Sequence, residues 1–110
     1  MKLPKSQFEV TAMIIRTITP DLKAPEKLLL VILSDFGDEK GGSIHPSINK
    51  LAELSSMSRR AVINNIQNLE EKGYIAKFKG GVIDGQNVTN RYFINMEKYG
   101  FKYNKQGKLS

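Results

Sequence analysis

Arg59, Arg60, Asn64 and Gln67 follow Ser58 in one short run and carry a consistent set of hydrogen-bond donors. Arginine matches the paired acceptors on the major-groove edge of guanine, and Asn or Gln matches the donor–acceptor edge of adenine. On a helix from Ser58 to Lys72, Val62, Ile66 and Leu69 recur at i, i+4 and i+7 and form a dry stripe. That leaves Arg59, Arg60, Ala61, Ile63, Asn64, Gln67 and Asn68 outside. Base-reading side chains cluster in the first turns of such a helix. Arg59, Arg60 and Asn64 are therefore expected at base edges, Ile63 against a thymine methyl, and Gln67 at a base or a phosphate. Glu70 and Glu71 would repel phosphate, so the contact should end before them.

A second short helix must brace the first. Pro46 and Ser47 start it, and Ile48, Leu51, Ala52 and Leu54 give it an apolar side. Ser55, Ser56 and Met57 form the turn between the two. Ser58 suits the N-cap, because its hydroxyl can accept from backbone N–H groups one turn on. Gly73 suits the left-handed residue that ends a helix. Ser47, Lys50 and Ser58 are expected at the DNA backbone, where helix N-termini favour anions. Tyr74 to Lys79 then alternates as a strand, with Arg91 to Asn95 as its partner. The run between them, GGVIDGQNVTN, is too long for a two-residue turn and is expected to be a mobile tip. Lys77, Lys79 and Arg91 would reach the backbone or the minor groove, adding affinity more than sequence information.

Upstream, Ser6 and Glu9 have the spacing of a capping box, which favours a helix from about Gln7 to Thr17. Val10, Met13, Ile14 and Ile18 would share a face. The β-branched density at Ile14, Ile15, Thr17 and Ile18 equally permits a strand. Pro20 closes the element. Pro25 is tolerated in a first helical turn, and Glu26 to Phe36 is apolar enough to be the most buried helix. Gly37 to Ser43 stops that helix and gives slack. Ser43, Ile44 and His45 could add a very short strand. Met96 to Ser110 is rich in lysine and could be a final strand, a packed arm or a basic tail. The expected division is an N-terminal element over 1–20, a central domain over 21–95 and a basic C-terminal segment over 96–110.

A chain of 110 residues with 40% hydrophobic content is enough for one modest core. Lys and Arg outnumber Asp and Glu by 17 to 11, giving a net charge of +6 and an isoelectric point near 9.6. Such a balance favours a polyanionic partner through counterion release. Cysteine is absent, which excludes disulfides and thiolate chemistry and fits a cytoplasmic, nucleoid-associated protein. The longest apolar run, Leu28 to Leu33, is too short to span a bilayer, and Phe8 to Ile18 is broken by polar residues unlike a signal peptide. His45 is the lone histidine and has no serine-elbow sequence beside it. The Gly37 to Gly42 loop lacks a phosphate-loop ending. Asp35, Asp38 and Glu39 could attract a cation but suit a solvated loop. No catalytic activity, metal or cofactor is expected.

The run HPSINKLAELSSMSRRAVINNIQNLEEKGYI is similar to the winged helix-turn-helix domains of phage and plasmid replication initiators and related bacterial regulators. The matching elements are Pro46-Ser47, Leu51-Ala52, Ser58-Arg59-Arg60-Ala61-Val62 and Leu69-Glu70-Glu71-Lys72-Gly73-Tyr74-Ile75. Leu22-Lys23 and Glu26 to Leu30 match the family's first helix, so the resemblance covers roughly Thr19 to Asn95. Ala61 replaces a common threonine, and Asn65 stands where a small alanine is frequent. The resemblance implies an α+β winged helix-turn-helix, a three-helix core with a C-terminal β-hairpin wing plus the extra N-terminal element. It implies sequence-specific binding of double-stranded DNA, often at repeated or palindromic sites, in replication initiation or transcription regulation. The competing expectation is a protein-interaction module. Phe8 to Ile18 has apolar surface that could build a homodimer or dock a helicase or another replication or transcription protein. A DNA binder should gather Arg59, Arg60, Lys77, Lys79 and Arg91 on one continuous basic face.

Overall fold

The computed structural model describes residues 3–83, 85–87, 89–106 and 108–109. Among these, α1 (Gln7–Arg16), α2 (Ala24–Asp35), α3 (Ile48–Ser55) and α4 (Arg59–Glu71) precede four short strands. The strands are β1 (Ile75–Phe78), β2 (Val82–Ile83), β3 (Gln86–Asn87) and β4 (Arg91–Ile94), and a 3-10 turn over Met96–Tyr99 follows.

The N-terminal segment is a helix. Val10 and Ile14, one turn apart, are both fully buried, and α1 packs on α2, with the Thr11 and Ser34 hydroxyls 2.6 Å apart. That helical stripe outweighs the β-branched bias, since tertiary packing decides most helices. Two local expectations fail. Ser6 makes no side-chain cap, and the Glu9 carboxylate accepts from the Lys5 N–H, one residue before the N-cap. Ile18 lies beyond the helix end and is exposed.

Leu29, Leu30 and Leu33 of α2 are fully buried, and with Leu51, Val62, Ile66 and Leu69 they form the centre of the core. Leu28 and Leu54, both expected inside, are exposed. In α3 the inward position next to Leu54 is taken by Ser55, whose hydroxyl turns back to the Ala52 carbonyl and accepts from the Met57 N–H. The same core takes in Tyr74, Ile75, Tyr92, Ile94, Met96, Tyr99 and Phe101. The C-terminal segment thus begins as a packed arm, not a strand. Asn95 caps its 3-10 turn by accepting from the Glu97 N–H at 3.1 Å, and the Tyr103 hydroxyl accepts from Met96 N–H at 3.0 Å.

Gly73 ends α4 at φ +81°. The Tyr74 N–H reaches the Leu69 carbonyl at 2.9 Å and the Gly73 N–H reaches that of Glu70 at 3.0 Å. These two bonds define a Schellman termination and aim the chain into β1. Tyr74, at the start of the hairpin, donates its hydroxyl to Asp21 at 2.9 Å. Burial, with the Asp21 hydrogen bond and charge, pushes its phenol up to about 12.

β1 pairs antiparallel with β4, with Ile75 opposite Ile94, Lys77 opposite Tyr92 and Phe78 opposite Arg91. Residues opposite one another share a face, and neighbours along a strand do not. One face therefore carries Ile75, Lys77, Tyr92 and Ile94. The other carries Ala76, Phe78, Arg91 and Phe93. The tip is paired too: Val82 is opposite Asn87 and Ile83 opposite Gln86. Asp84 and Val88, within the run expected to be a mobile tip, lie outside the described residues. The short strand expected at 43–45 is a single bridge between Ile44 and Tyr92.

The loop before it is pinned, not slack. Asp38 accepts from the N–H groups of Lys40 and Gly42 and from the Ser43 hydroxyl. Burial raises its carboxyl, but these hydrogen bonds outweigh burial and hold it below its ordinary value. Gly41 then lies against β4, with its carbonyl accepting from Ile94 N–H at 2.8 Å. A Cβ at Gly41 would sit 2.9 Å from the Ile94 carbonyl oxygen. No described helix is long and apolar enough to cross a membrane.

Candidate nucleic-acid interface

Ser58 has extended backbone and caps α4, its hydroxyl accepting from the Ala61 N–H at 3.1 Å. Ser47 does the same for α3 by accepting from the Lys50 N–H at 3.0 Å. Both hydroxyls keep a proton to donate. Both cap residues are exposed, as is Lys50, so two helix N-termini with open caps face solvent.

Val62, Ile66 and Leu69 point inward, and Asn65 is buried beside them. Its amide is satisfied: Nδ2 donates to the Ala61 carbonyl at 2.8 Å and touches Met57 Sδ at 3.6 Å. The polar residue at the α3–α4 contact thus closes on its own helix.

Helical spacing divides the outer surface of α4 in two. Arg60, Asn64, Gln67 and Glu71 follow at i, i+4, i+7 and i+11 and form the line most remote from the core. Arg59, Ile63 and Glu70 lie on a flank beside it. Glu70 meets Lys77 of β1 at 3.9 Å, which identifies this as the flank turned toward the hairpin. Arg59, Arg60, Ile63, Asn64 and Gln67 are all exposed. Gln67 Nε2 donates to Glu71 at 3.3 Å, so an acid already engages the last of the expected base readers.

Arg59 lines a groove of about 390 Å³. Its other walls are the start of α3, from Pro46 to Asn49, and the hairpin neck at Gly80, Gly81, Val82, Thr89 and Asn90. The neck is fixed in place. The Asn90 side-chain Oδ1 accepts from Gly80 N–H at 2.8 Å, and the Thr89 hydroxyl donates to the His45 backbone carbonyl at 2.8 Å. Asn49, Thr89 and Asn90 were not singled out from the sequence. Thr89 and Asn90 carry no local signal for this, because what places them is a contact with a distant part of the chain.

The basic residues do not gather on one face. Lys79 and Arg91 line a second groove that shares Gly80, Gly81, Val82 and Thr89 with the first. Lys77 faces α4, and the pairing register sends Arg91 to the opposite face of the hairpin. Strand alternation was legible in the sequence, but the register that separates Lys77 from Arg91 was not.

A family model described as a helix-turn-helix domain matches residues 21–75, half of the chain. The match runs from the approach to α2 through the end of α4 and stops at the first residue of β1. No curated protein and no solved structure matches. A braced, Ser-capped helix with an exposed polar face agrees with that match, and the helix-turn-helix suggests a DNA-binding role. The chain belongs to the helix-turn-helix domain family.

Proposed function

We propose that this is a winged helix-turn-helix protein that binds duplex DNA sequence-specifically, in replication initiation or transcription regulation. It acts as a non-catalytic nucleoid protein of the replication-initiator type. The observation that carries the reading is the groove shared by Arg59, the capped start of α3 and the hairpin neck. A DNA strand lying there meets a guanidinium, two helix N-termini and the Ser47 hydroxyl together, each favourable to phosphate. With a strand held there, Arg60, Asn64 and Gln67 face the major groove, and Ile63 lies at its edge. Arg59 reaches a phosphate or the first base. Ser47, Lys50 and Ser58 hold one strand, and Lys79 and Arg91 meet the backbone beside the wing.

The test is fluorescence anisotropy on random-sequence duplex across a salt series, with the Arg59→Ala/Arg60→Ala double variant alongside. Binding that weakens steeply with salt, and further in the variant, supports the reading. Equal binding by variant and parent removes α4 from the interface.

A second reading has its own observation. On the outer hairpin face Phe78 is 57% and Phe93 40% exposed, with their rings edge to face at 5.5 Å. They line an apolar groove of about 700 Å³ with Ala76 and Tyr103. Exposed aromatic surface of this kind suits a protein partner. Failure of the chain to bind duplex even at low salt would favour that function.

A further inference from the structure

The outer face of α1 is apolar along its length and flanked by charge on one side. Phe8 is 73% and Ile15 55% exposed. They stand two turns apart on one stripe, with the small residue Ala12 between them. Glu9 and Arg16 have the same spacing and lie together on one flank, both exposed. Arg16 has no ion-pair partner among the described residues. Placed at opposite ends of one flank, the two charges make the surface self-complementary in a single orientation. In an antiparallel pair each flank meets its own copy, so Glu9 faces Arg16 and Arg16 faces Glu9. In a parallel pair the charged flank of each copy would instead meet the uncharged flank of the other, and neither charge would find a partner.

We infer that α1 is a contact between two copies of this chain, with the helices antiparallel about a two-fold axis at Ala12. About that axis Phe8 of one copy comes level with Ile15 of the other, and Glu9 with Arg16, each within about 1.5 Å, one residue's rise. Ala12 at the crossing lets the backbones approach. An isologous contact of this kind closes after two copies. A helix of ten residues is about 15 Å long, so the interface is small and the dimer weak, with a Kd on the order of micromolar or above. The contact lies on the N-terminal helix and uses none of the residues assigned to DNA, so it stands whether or not the DNA reading does.

The absence of cysteine makes the geometry directly readable. Single variants Ala12→Cys, Phe8→Cys and Ile15→Cys of the full chain are treated with a short bismaleimide at high protein concentration, without DNA. Ala12→Cys is expected to cross-link to itself. Phe8→Cys and Ile15→Cys are expected to cross-link severalfold better when mixed than when alone. Sedimentation equilibrium should show weaker association for Glu9→Arg and for Arg16→Glu, and recovery in the variant carrying both. Circular dichroism of each variant confirms folding. Self-linking of Phe8→Cys above the mixed yield, no cross-link in any combination, or no recovery in the charge swap would each overturn the inference.

Discussion

The Nζ of Lys72 lies 2.7 Å from Oε1 of Glu26, joining the end of α4 to the first turn of α2. Glu26 is fully buried, while the Lys72 side chain is 31% exposed. The same carboxylate oxygen accepts from the Lys23 N–H at 2.8 Å, and Lys72 also donates to the Asp21 carbonyl at 2.7 Å. The pair therefore fixes the far end of the outward-facing helix against the helix that forms the core's centre.

Removing the lysine alone should be costly. Lys72→Met leaves a buried carboxylate with one backbone donor, and a loss of about 3 kcal/mol is expected, at the low end for a broken buried pair because Lys72 is partly solvated. The double variant Glu26→Leu/Lys72→Met should lose less, since no charge is stranded. Urea unfolding of the three proteins measures both, and a double variant weaker than Lys72→Met would contradict the account.

The pair also sets a pH dependence. Burial pushes the Glu26 carboxyl up, but the Lys72 and Lys23 hydrogen bonds and the Lys72 charge outweigh it and hold it below its ordinary value of 4.5. A folded value below the unfolded one means the stabilisation is complete above the unfolded value and is lost as pH falls through the folded one. The stability gap between the parent and Lys72→Met should therefore be widest near neutrality and shrink as pH falls. The stranded, burial-raised carboxyl of the variant takes up its proton first, and Glu26 of the parent follows below about pH 4.5. Unfolding midpoints taken across an acid series would reveal it, and a gap independent of pH would exclude Glu26 as its source.

The turn between α3 and α4 stores strain at one residue. Ser56 sits at φ +59°, in the left-handed region, and closes α3 by donating its N–H to the Ala52 carbonyl. A non-glycine residue there pays for the missing conformational freedom. Ser56→Gly should stabilise the chain by about 0.5–1 kcal/mol, with part of the gain offset by a freer unfolded state. Thermal unfolding would register a rise of a few degrees, and a fall would mean that the serine side chain has a role at this turn.

The helical part of the fold was legible because its signals are local. Ser58, the Val62–Ile66–Leu69 stripe and Gly73 each act within one turn of the chain, and the cap, the buried stripe and the Schellman end follow directly. Leu54 and Leu28 were misplaced because apolar spacing gives a helix's face but not the width its neighbours cover. Asp38, Thr89 and Asn90 were out of reach for another reason. Their roles come from backbone groups brought near them by the hairpin or by a turn of the loop, and polar residues in loops carry no period. The groove beside Arg59 is of that second kind, so the sequence showed the exposed polar face of α4 without showing what stands next to it.

The hairpin register separates two basic residues, Lys77 and Arg91, onto opposite faces of the hairpin. Arg91 lies on the outer face beside an open groove, whereas Lys77 faces α4 and lies 3.9 Å from Glu70. Arg91→Ala should lower the slope of log affinity against log salt by about 0.9, the value for one lost phosphate contact. Lys77→Ala should leave the slope near that of the parent. Both pair members are partly solvated, so Lys77→Ala should change stability by less than about 1 kcal/mol. A drop in slope for Lys77 and none for Arg91 would reverse the assignment of the two hairpin faces.

Arg59 and Arg60 are neighbours in sequence yet leave α4 in different directions, and their variants should differ in kind. Arg60 stands on the outermost line with Asn64, so Arg60→Ala should cost on the order of 1–3 kcal/mol at a selected site and much less on random duplex. Arg59 lines the groove with Ser47 and the hairpin neck. Arg59→Ala should weaken both DNAs by a similar factor and reduce the salt slope by about one contact. A site selected from a random library, followed by titration of both variants on selected and scrambled duplexes, separates the two effects. Equal loss of specificity in both variants would mean that Arg59 also reaches a base, and that α4 enters the groove closer to its N-terminus than the walls of that groove suggest.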